Sequence, residues 1–378
     1  MGLKKVFKSI FLMITLSSMI LIGCENSNKS EVSQKNKLSS YELGNYEKNL
    51  DSLKITNKLV DGEQIVIGFS MDTLKEPIWK KHRDSFISKA NELGAEVRVM
   101  QANSDDKVQL SQIDQLISEG VNVLVVAPHD GTICAEAAEK AHKAGIRLIA
   151  YDRMIKNSDV DFYVSINSYK VGEYQARELL KKVPSGNVAY VGGSPTDNNA
   201  LIFRDESLKV LNEHKDTINL VMDKYSTDWN IEEAYNNVMK LLNENPNIQG
   251  IICANDGTAS GAIAALEKFS LDGKVPVTGL DADVAACQRV VEGKQLMTVY
   301  KPADKIAEKA AEISVQLAKG ENPETNNKMF NGKVDVPTYY IEPVTITKDN
   351  MMDTIIKDKY HEFEDVYKNV PENQRPKH

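Results

Sequence analysis

The residues best equipped for chemistry in this 378-residue chain stand just after short apolar runs. Asp152-Arg153 follows Arg147–Tyr151, Asn255-Asp256 follows Gly250–Ala254, and Asp281-Ala282-Asp283 follows Val275–Leu280. Met71-Asp72-Thr73-Leu74-Lys75 leads toward Trp79, and Pro128-His129-Asp130-Gly131 ends another run. Further along come Gly193-Ser194-Pro195-Thr196-Asp197-Asn198-Asn199, Asp228-Trp229 and Lys301-Pro302. Planar, multivalent groups such as Arg, Asn and Asp hold two neighbouring hydroxyls at once. An indole face covers the C–H side of a pyranose ring. A neutral sugar, rich in hydroxyls and without charge, suits such a set. A phosphate would require a glycine-rich loop at a helix start or a cluster of bases. Gly192-Gly193-Ser194 is too short for that and lacks the P-loop lysine.

Catalysis is not indicated. There is no Gly-x-Ser-x-Gly, no zinc motif and no placed carboxylate pair. The six histidines are scattered, without metal-ligand spacing, and no cofactor motif is present. Several residues also have a purely structural reading. Asn255 has a helix cap as its lesser reading, behind ligand contact, and Asp256 reads better as a cap or support than as a contact. Trp79 reads equally as ring stacking or packing. Asp197 and Asn198 are expected to orient Asn199, and His129 to have no direct role.

Short β-branched runs alternating with helical patterns must position these groups. Strands are expected at Ile65–Ser70, Glu96–Gln101, Val121–Ala127 and Arg147–Tyr151, separated by helices over Ile78–Leu93, Lys107–Glu119 and Gly131–Ala144. A second series has strands near Asn187–Gly192, Asn219–Lys224, Gly250–Ala254, Val275–Leu280 and Leu296–Tyr300. Its helices lie near Ala200–Asn212, Ile231–Leu242, Ser260–Phe269 and Val284–Val291. A helix over Ala303–Lys319 and an extended run Val336–Val344 complete the pattern. The expected fold is α/β: two Rossmann-like, doubly wound lobes with a crevice between the carboxyl ends of their strands.

The length fits two lobes better than one core. The net charge of −8 argues against nucleic acid and anionic membrane surfaces as partners. The first residues differ: Lys4, Lys5 and Lys8 precede an apolar stretch Ser9–Ile22 and then Gly23-Cys24. That is the plan of a secretory signal. Leu21-Ile22-Gly23-Cys24 resembles a bacterial lipobox, which implies cleavage after Gly23 and lipidation of Cys24. Losing residues 1–23 removes three lysines and no acids, leaving a charge of −11. Residues 25–40 read as a polar tether, and the apolar residues within 41–62 read as a short helix. Cys134, Cys253 and Cys287 lie in apolar patterns and read as buried hydrophobes rather than a disulfide framework.

Five segments together carry a resemblance: Tyr151-Asp152-Arg153-Met154-Ile155, Gly192 to Ala200, Ala254-Asn255-Asp256, Gly279-Leu280-Asp281-Ala282-Asp283 and Met297-Thr298-Val299-Tyr300-Lys301-Pro302. They resemble the bacterial D-xylose-binding group of the type I periplasmic sugar-binding proteins, in a lipoprotein form, from about Ile65 to about Lys359. The resemblance implies two lobes joined by three crossover hinges and one sugar between them. It places sugar contacts on Arg153, Asn199, Trp229, Asn255, Asp281 and Lys301, with Trp79 beside them. Ile78 departs from it, standing where the family carries an arginine. Lys75 is the expected substitute, because positions three or four apart share a helix face. Without a substitute one charge-assisted contact is missing, worth about 1.5–3 kcal/mol, and a related pentose becomes an alternative ligand.

The implied boundaries are 1–23 signal, 24–63 tether, 64–167 with 301–335 as the N-terminal lobe, 168–300 with 336–360 as the C-terminal lobe, and 361–378 a charged tail. Hinges are expected near Asn167–Ser168, Tyr300–Pro302 and Val336–Thr338. The implied membrane partner is an ABC sugar permease. The alternative is a sensor histidine kinase, favoured by the long segment 25–63 and the tail. The implied location is outside the cytoplasm, held to the membrane by lipid. A transcription factor of similar fold is disfavoured, because a signal peptide stands where a helix-turn-helix would be.

Overall fold

Aliphatic and β-branched runs become buried parallel strands where helices cover both faces of a sheet. A computed structural model describes residues 63–377. The signal segment, Cys24, the possible helix within 41–62 and the tether up to residue 62 lie outside the described residues. The first lobe opens with β1 (Ile65–Met71), α1 (Pro77–Glu92), β2 (Ala95–Gln101), α2 (Asp106–Ser118), β3 (Val123–Ala127), α3 (Ala135–Lys143), β4 (Arg147–Tyr151) and β5 (Phe162–Ile166). The chain crosses to the second lobe as α4 (Ser168–Lys182), β6 (Gly186–Val191), α5 (Asn198–Glu213) and β7 (Ile218–Lys224). A short 3₁₀ turn, Thr227–Trp229, leads on to α6 (Ile231–Glu244), β8 (Gly250–Cys253), α7 (Asp256–Lys268), α8 (Val284–Glu292) and β9 (Thr298–Tyr300). It returns as α9 (Ala303–Ala318), β10 (Asn327–Phe330) and β11 (Asp335–Ile341), then ends in the second lobe with β12 (Val344–Ile346) and α10 (Phe363–Tyr367).

The first sheet has the order β10-β11-β5-β4-β3-β1-β2, parallel except for β10. The second has a parallel β7-β6-β8 core. Isolated bridges Ile251–Val277 and Leu280–Val299 link that core toward the β9–β12 pair. Apolar clusters fill the space between sheets and helices in both lobes. Cys134, Cys253 and Cys287 are buried and unpaired.

Several expectations need correction. Val275–Leu280 is extended but makes only those isolated bridges. The strand Phe162–Ile166 escapes the helix–strand rhythm, because no helix separates it from β4. The run from Val336 joins β5 of the first sheet, with Ile341 opposite Ile166, and pairs with β10 on its other side. Its composition suits either sheet; hydrogen-bond partners decide. The third crossover therefore falls between Ile341 and Val344, not at Val336–Thr338, and the first-lobe segment extends past 335. The segment after 360 is not a loose charged tail. Phe363, Val366 and Tyr367 are buried in the core cluster that also holds Cys287, Val290 and Val291 of α8.

That packing has a stability consequence. Phe363→Ala is expected to destabilise the domain by about 3 kcal/mol, as for other buried phenylalanines, in equilibrium denaturation. A change below about 0.5 kcal/mol, typical of a surface position, would show that the segment contributes nothing to the core.

Candidate functional site

The carboxyl ends of the strands in both lobes face a shared cavity of about 500 Å³. Lys75, Trp79, Arg153, Asn199, Trp229, Asn255, Asp281 and Lys301 all line it. The sequence reading of strand ends therefore brings its eight residues to one place.

Arg153 is 7% exposed and sits among acceptors. Its Nη1 donates to Asp72 Oδ2 at 2.7 Å and to the Pro128 carbonyl at 3.2 Å. Its Nε is 2.8 Å from Asp197 Oδ2, across the cleft. Burial favours the neutral guanidine, but the Asp197 and Asp72 charges outweigh it and hold Arg153 firmly protonated. The pairing is with Asp72 and Asp197, through Nη1 and Nε. The Arg153 guanidinium also lies 5.1 Å from the Trp79 ring, and Lys301 Nζ lies 5.5 Å from it. Trp79 is thus both core and cavity wall: it is 5% exposed and carries two cations on its ring.

Lys301, at the second crossover, is 3.2 Å from Asp152 Oδ2 and 3.4 Å from Asp281 Oδ1. Only the first has hydrogen-bond geometry, so Asp281 Oδ1 is buried without a hydrogen-bond partner among the described residues. Burial raises the Asp152 carboxyl, yet the Lys301 and Arg153 charges outweigh it and hold its pKa below the usual value. His82, behind the site, is pushed down to about 3 by burial and by Lys301, and is neutral. Its Nδ1 meets the Tyr151 hydroxyl.

Asp152 has φ 60° and Asp281 φ 101°, conformations that cost non-glycine residues about 1–3 kcal/mol. The Asp152 carbonyl accepts from Tyr163 Oη (2.8 Å), Ser165 Oγ (2.7 Å) and, across the cleft, Asn199 Nδ2 (2.8 Å). Asn199 Oδ1 accepts from Ser168 Oγ at 2.8 Å within its own lobe and from Tyr163 Oη at 3.5 Å across the cleft, so with the bond to the Asp152 carbonyl its amide is largely committed to protein partners. Asn255 has two roles. Its Oδ1 accepts from Thr258 N at 2.8 Å in a reciprocal cap of α7, while Nδ2 has no hydrogen-bond partner among the described residues. Asp256 braces the second lobe, accepting from Gln295 Nε2, Thr298 Oγ1 and Asp283 N at 2.8, 2.9 and 3.0 Å.

Trp229 lies across Gly193: a Cβ there would stand 2.3 Å from the indole, so only glycine admits the ring. Its Nε1 is buried without a partner. Lys75 lines the cavity but precedes α1, which Pro77 starts. It shares no helix face with Ile78 or Trp79, contrary to the sequence expectation. Sequence reasoning also left out Glu76 and underused Asp72. Both line the cavity, and Glu76 Oε2 and Asp72 Oδ1 are buried and unpartnered. Asp72 was legible as a strand-end carboxylate, whereas nothing local marks Glu76. His129, expected to be idle, spans the mouth, with Nδ1 2.9 Å from Asp106 and Nε2 3.3 Å from Asp228 of the second lobe. Among the described residues, no cluster of His, Cys, Asp or Glu could hold a metal ion.

Two Rossmann-like lobes joined by three crossovers, with a polar cavity between strand ends, define a hinged binding protein. The periplasmic binding protein domain family matches residues 67–322, and the chain belongs to that family. It is 43% identical to the D-xylose-binding periplasmic protein of Haemophilus influenzae, over 84% of this chain and 96% of that one. It is 42% identical to the Escherichia coli protein of the same name, over 82% and 95%. A solved carbohydrate-transporter solute-binding protein from Chloroflexus aurantiacus, in complex with D-glucose, superposes with a TM-score of 0.74 at 30% identity, covering 80% of this chain and 98% of that one. The chain is a binding protein and not an enzyme.

The mouth gives a pH prediction. Burial lowers the His129 pKa, but the Asp106 hydrogen bond and the Asp72 and Asp228 charges outweigh it and raise it above 6.5. Opening removes Asp228 but leaves Asp106 and Asp72 beside His129, so the extra stability of the closed form is complete below the His129 pKa of the open form and fades as pH rises through the higher pKa of the closed form. Inter-lobe distances from paired spin labels at sub-saturating ligand should show fewer closed molecules as pH rises through that range. Asp228→Asn should flatten the dependence; an unaltered profile in that variant would remove His129–Asp228 from closure.

Proposed function

We propose that the chain binds D-xylose, or a closely related pentose, outside the cytoplasm and closes its lobes on it. The loaded form is then presented to a membrane ABC sugar permease. The observation that carries this reading is the set of buried, unpartnered polar atoms around the cavity. Asp72 Oδ1 and Asp281 Oδ1 await donors, and Trp229 Nε1 awaits an acceptor. Each is costly while unmet, and each is matched by a sugar hydroxyl. Carboxylates outnumber cations in the lining, which favours a neutral polyol over an anion. The identity to D-xylose-binding relatives supports the pentose. Arg153, Asn255, Asp281 and Lys301 act as hydroxyl partners in this reading, Asn199 as the link between lobes, and Trp229 and Trp79 as walls for the ring. Ile78 makes the wall near Trp79 apolar where the family carries a cation.

Calorimetric titration of the mature domain against pentoses and hexoses tests the reading. D-xylose should bind most tightly, and Arg153→Ala should weaken it at least tenfold, about 1.4 kcal/mol, with the fold intact. Indifference to every sugar offered would overturn the reading. Cys24 is the proposed lipid anchor; Cys24→Ser should release the protein from cell membranes into the soluble fraction. Unchanged membrane retention would remove that role.

A second reading keeps the sugar and changes the listener to a sensor histidine kinase. The packed segment Tyr360–Tyr367 lies beyond the family match at 322 and adds a surface that such a partner could read. Co-purification of a permease or of a kinase from membranes separates the two.

A further inference from the structure

The loop Asp281–Ala282 is a strained part of the cavity wall, with consecutive φ values of 101° and 52° on non-glycine residues. Such a conformation persists only where its surroundings over-determine it. Both carbonyls of the loop are held from a distant part of the chain. Tyr360 Oη donates to the Asp281 carbonyl at 3.3 Å, and His361 Nε2 donates to the Ala282 carbonyl at 2.7 Å. A carbonyl only accepts, so the His361 proton is on Nε2. Lys359 has φ 52°, which turns the chain immediately before this pair.

The same tyrosine is anchored on its other sides. Its ring packs edge-on against Tyr300, at the crossover beside Lys301, with centroids 4.6 Å apart. Lys81 of α1, in the first lobe, stands 3.5 Å over that ring and donates to the Tyr360 carbonyl at 3.3 Å. The turn therefore touches the Asp281 loop, a crossover and the opposite lobe at once, and it lies beyond the family match.

We propose that the turn Tyr360–His361 is a positioning element for the sugar site, fixing the Asp281–Ala282 loop so that the Asp281 carboxylate faces the ligand. The inference rests on the reading of Asp281 as a sugar contact. Tyr360 and His361 touch no sugar; they act through Asp281.

A double-mutant cycle on the mature chain tests it, with D-xylose titrations as the readout. Tyr360→Phe keeps the ring against Tyr300 and Lys81 and removes only the bond to the loop. Alone, or with His361→Ala, it should weaken xylose binding about three- to tenfold, the range of one or two hydrogen bonds. In an Asp281→Ala background the same changes should have no further effect. Equal losses in both backgrounds would mean a general structural role and overturn the proposal. So would a wild-type affinity for Tyr360→Phe beside a weakened Asp281→Ala. If Asp281→Ala itself binds xylose normally, the sugar-contact reading of Asp281 fails first, and the positioning role with it. Should the His361 variant melt early, the Tyr360→Phe pair alone completes the cycle.

Discussion

Arg153 and Lys301 are almost withdrawn from water, and a buried cation is tolerable only where carboxylates meet it. The rest of the site follows from that constraint. Asp72 serves Arg153 from the first lobe and Asp197 from the second. Asp152 serves Lys301 from the first lobe, and Asp281 stands 3.4 Å from it in the second. Each cation has one carboxylate partner in the first lobe and a second in the other lobe, so bringing the lobes together adds an acidic neighbour to both. Asp72 Oδ1 and Asp281 Oδ1, on residues that line the cavity, are left without hydrogen-bond partners among the described residues, and in the proposed function hydroxyls of a neutral ligand complete the network. A ligand contacting both lobes stabilises the closed form by its differential affinity for that form.

Backbone strain gathers at the same place. Asp152, Asp228, Trp229, Asp281 and Ala282 all have positive φ. These residues end strands or begin the short turns that follow, where the chain must swing a polar side chain into the crevice. The strain is held by specific partners: three donors on the Asp152 carbonyl, and Tyr360 and His361 on the carbonyls of the 281–282 loop. Stored strain of this kind pre-organises a site for a rigid ring.

Much of this was legible in the sequence. The alternation of β-branched runs and helices predicted both lobes, and the rule that ligands lie beyond strand ends brought Arg153, Asn255, Asp281 and Lys301 together. What escaped depends on pairing between distant segments. Val336–Ile341 carries no mark of which sheet it joins, because strand composition reports burial and not partner. The partnership of Tyr360 with Asp281 spans 79 positions and is invisible to local pattern. Lys75 was misplaced although Pro77 marked where the helix starts. Glu76 resembles any surface glutamate until the fold places it in the cavity lining with Oε2 buried.

The central claim is that a sugar draws the two lobes together. Small-angle scattering from the mature domain, with and without saturating D-xylose, measures this most directly. The radius of gyration should contract on saturation, with the liganded curve matching the closed arrangement of Arg153 against Asp197. A radius that stays the same while xylose demonstrably binds would contradict the account.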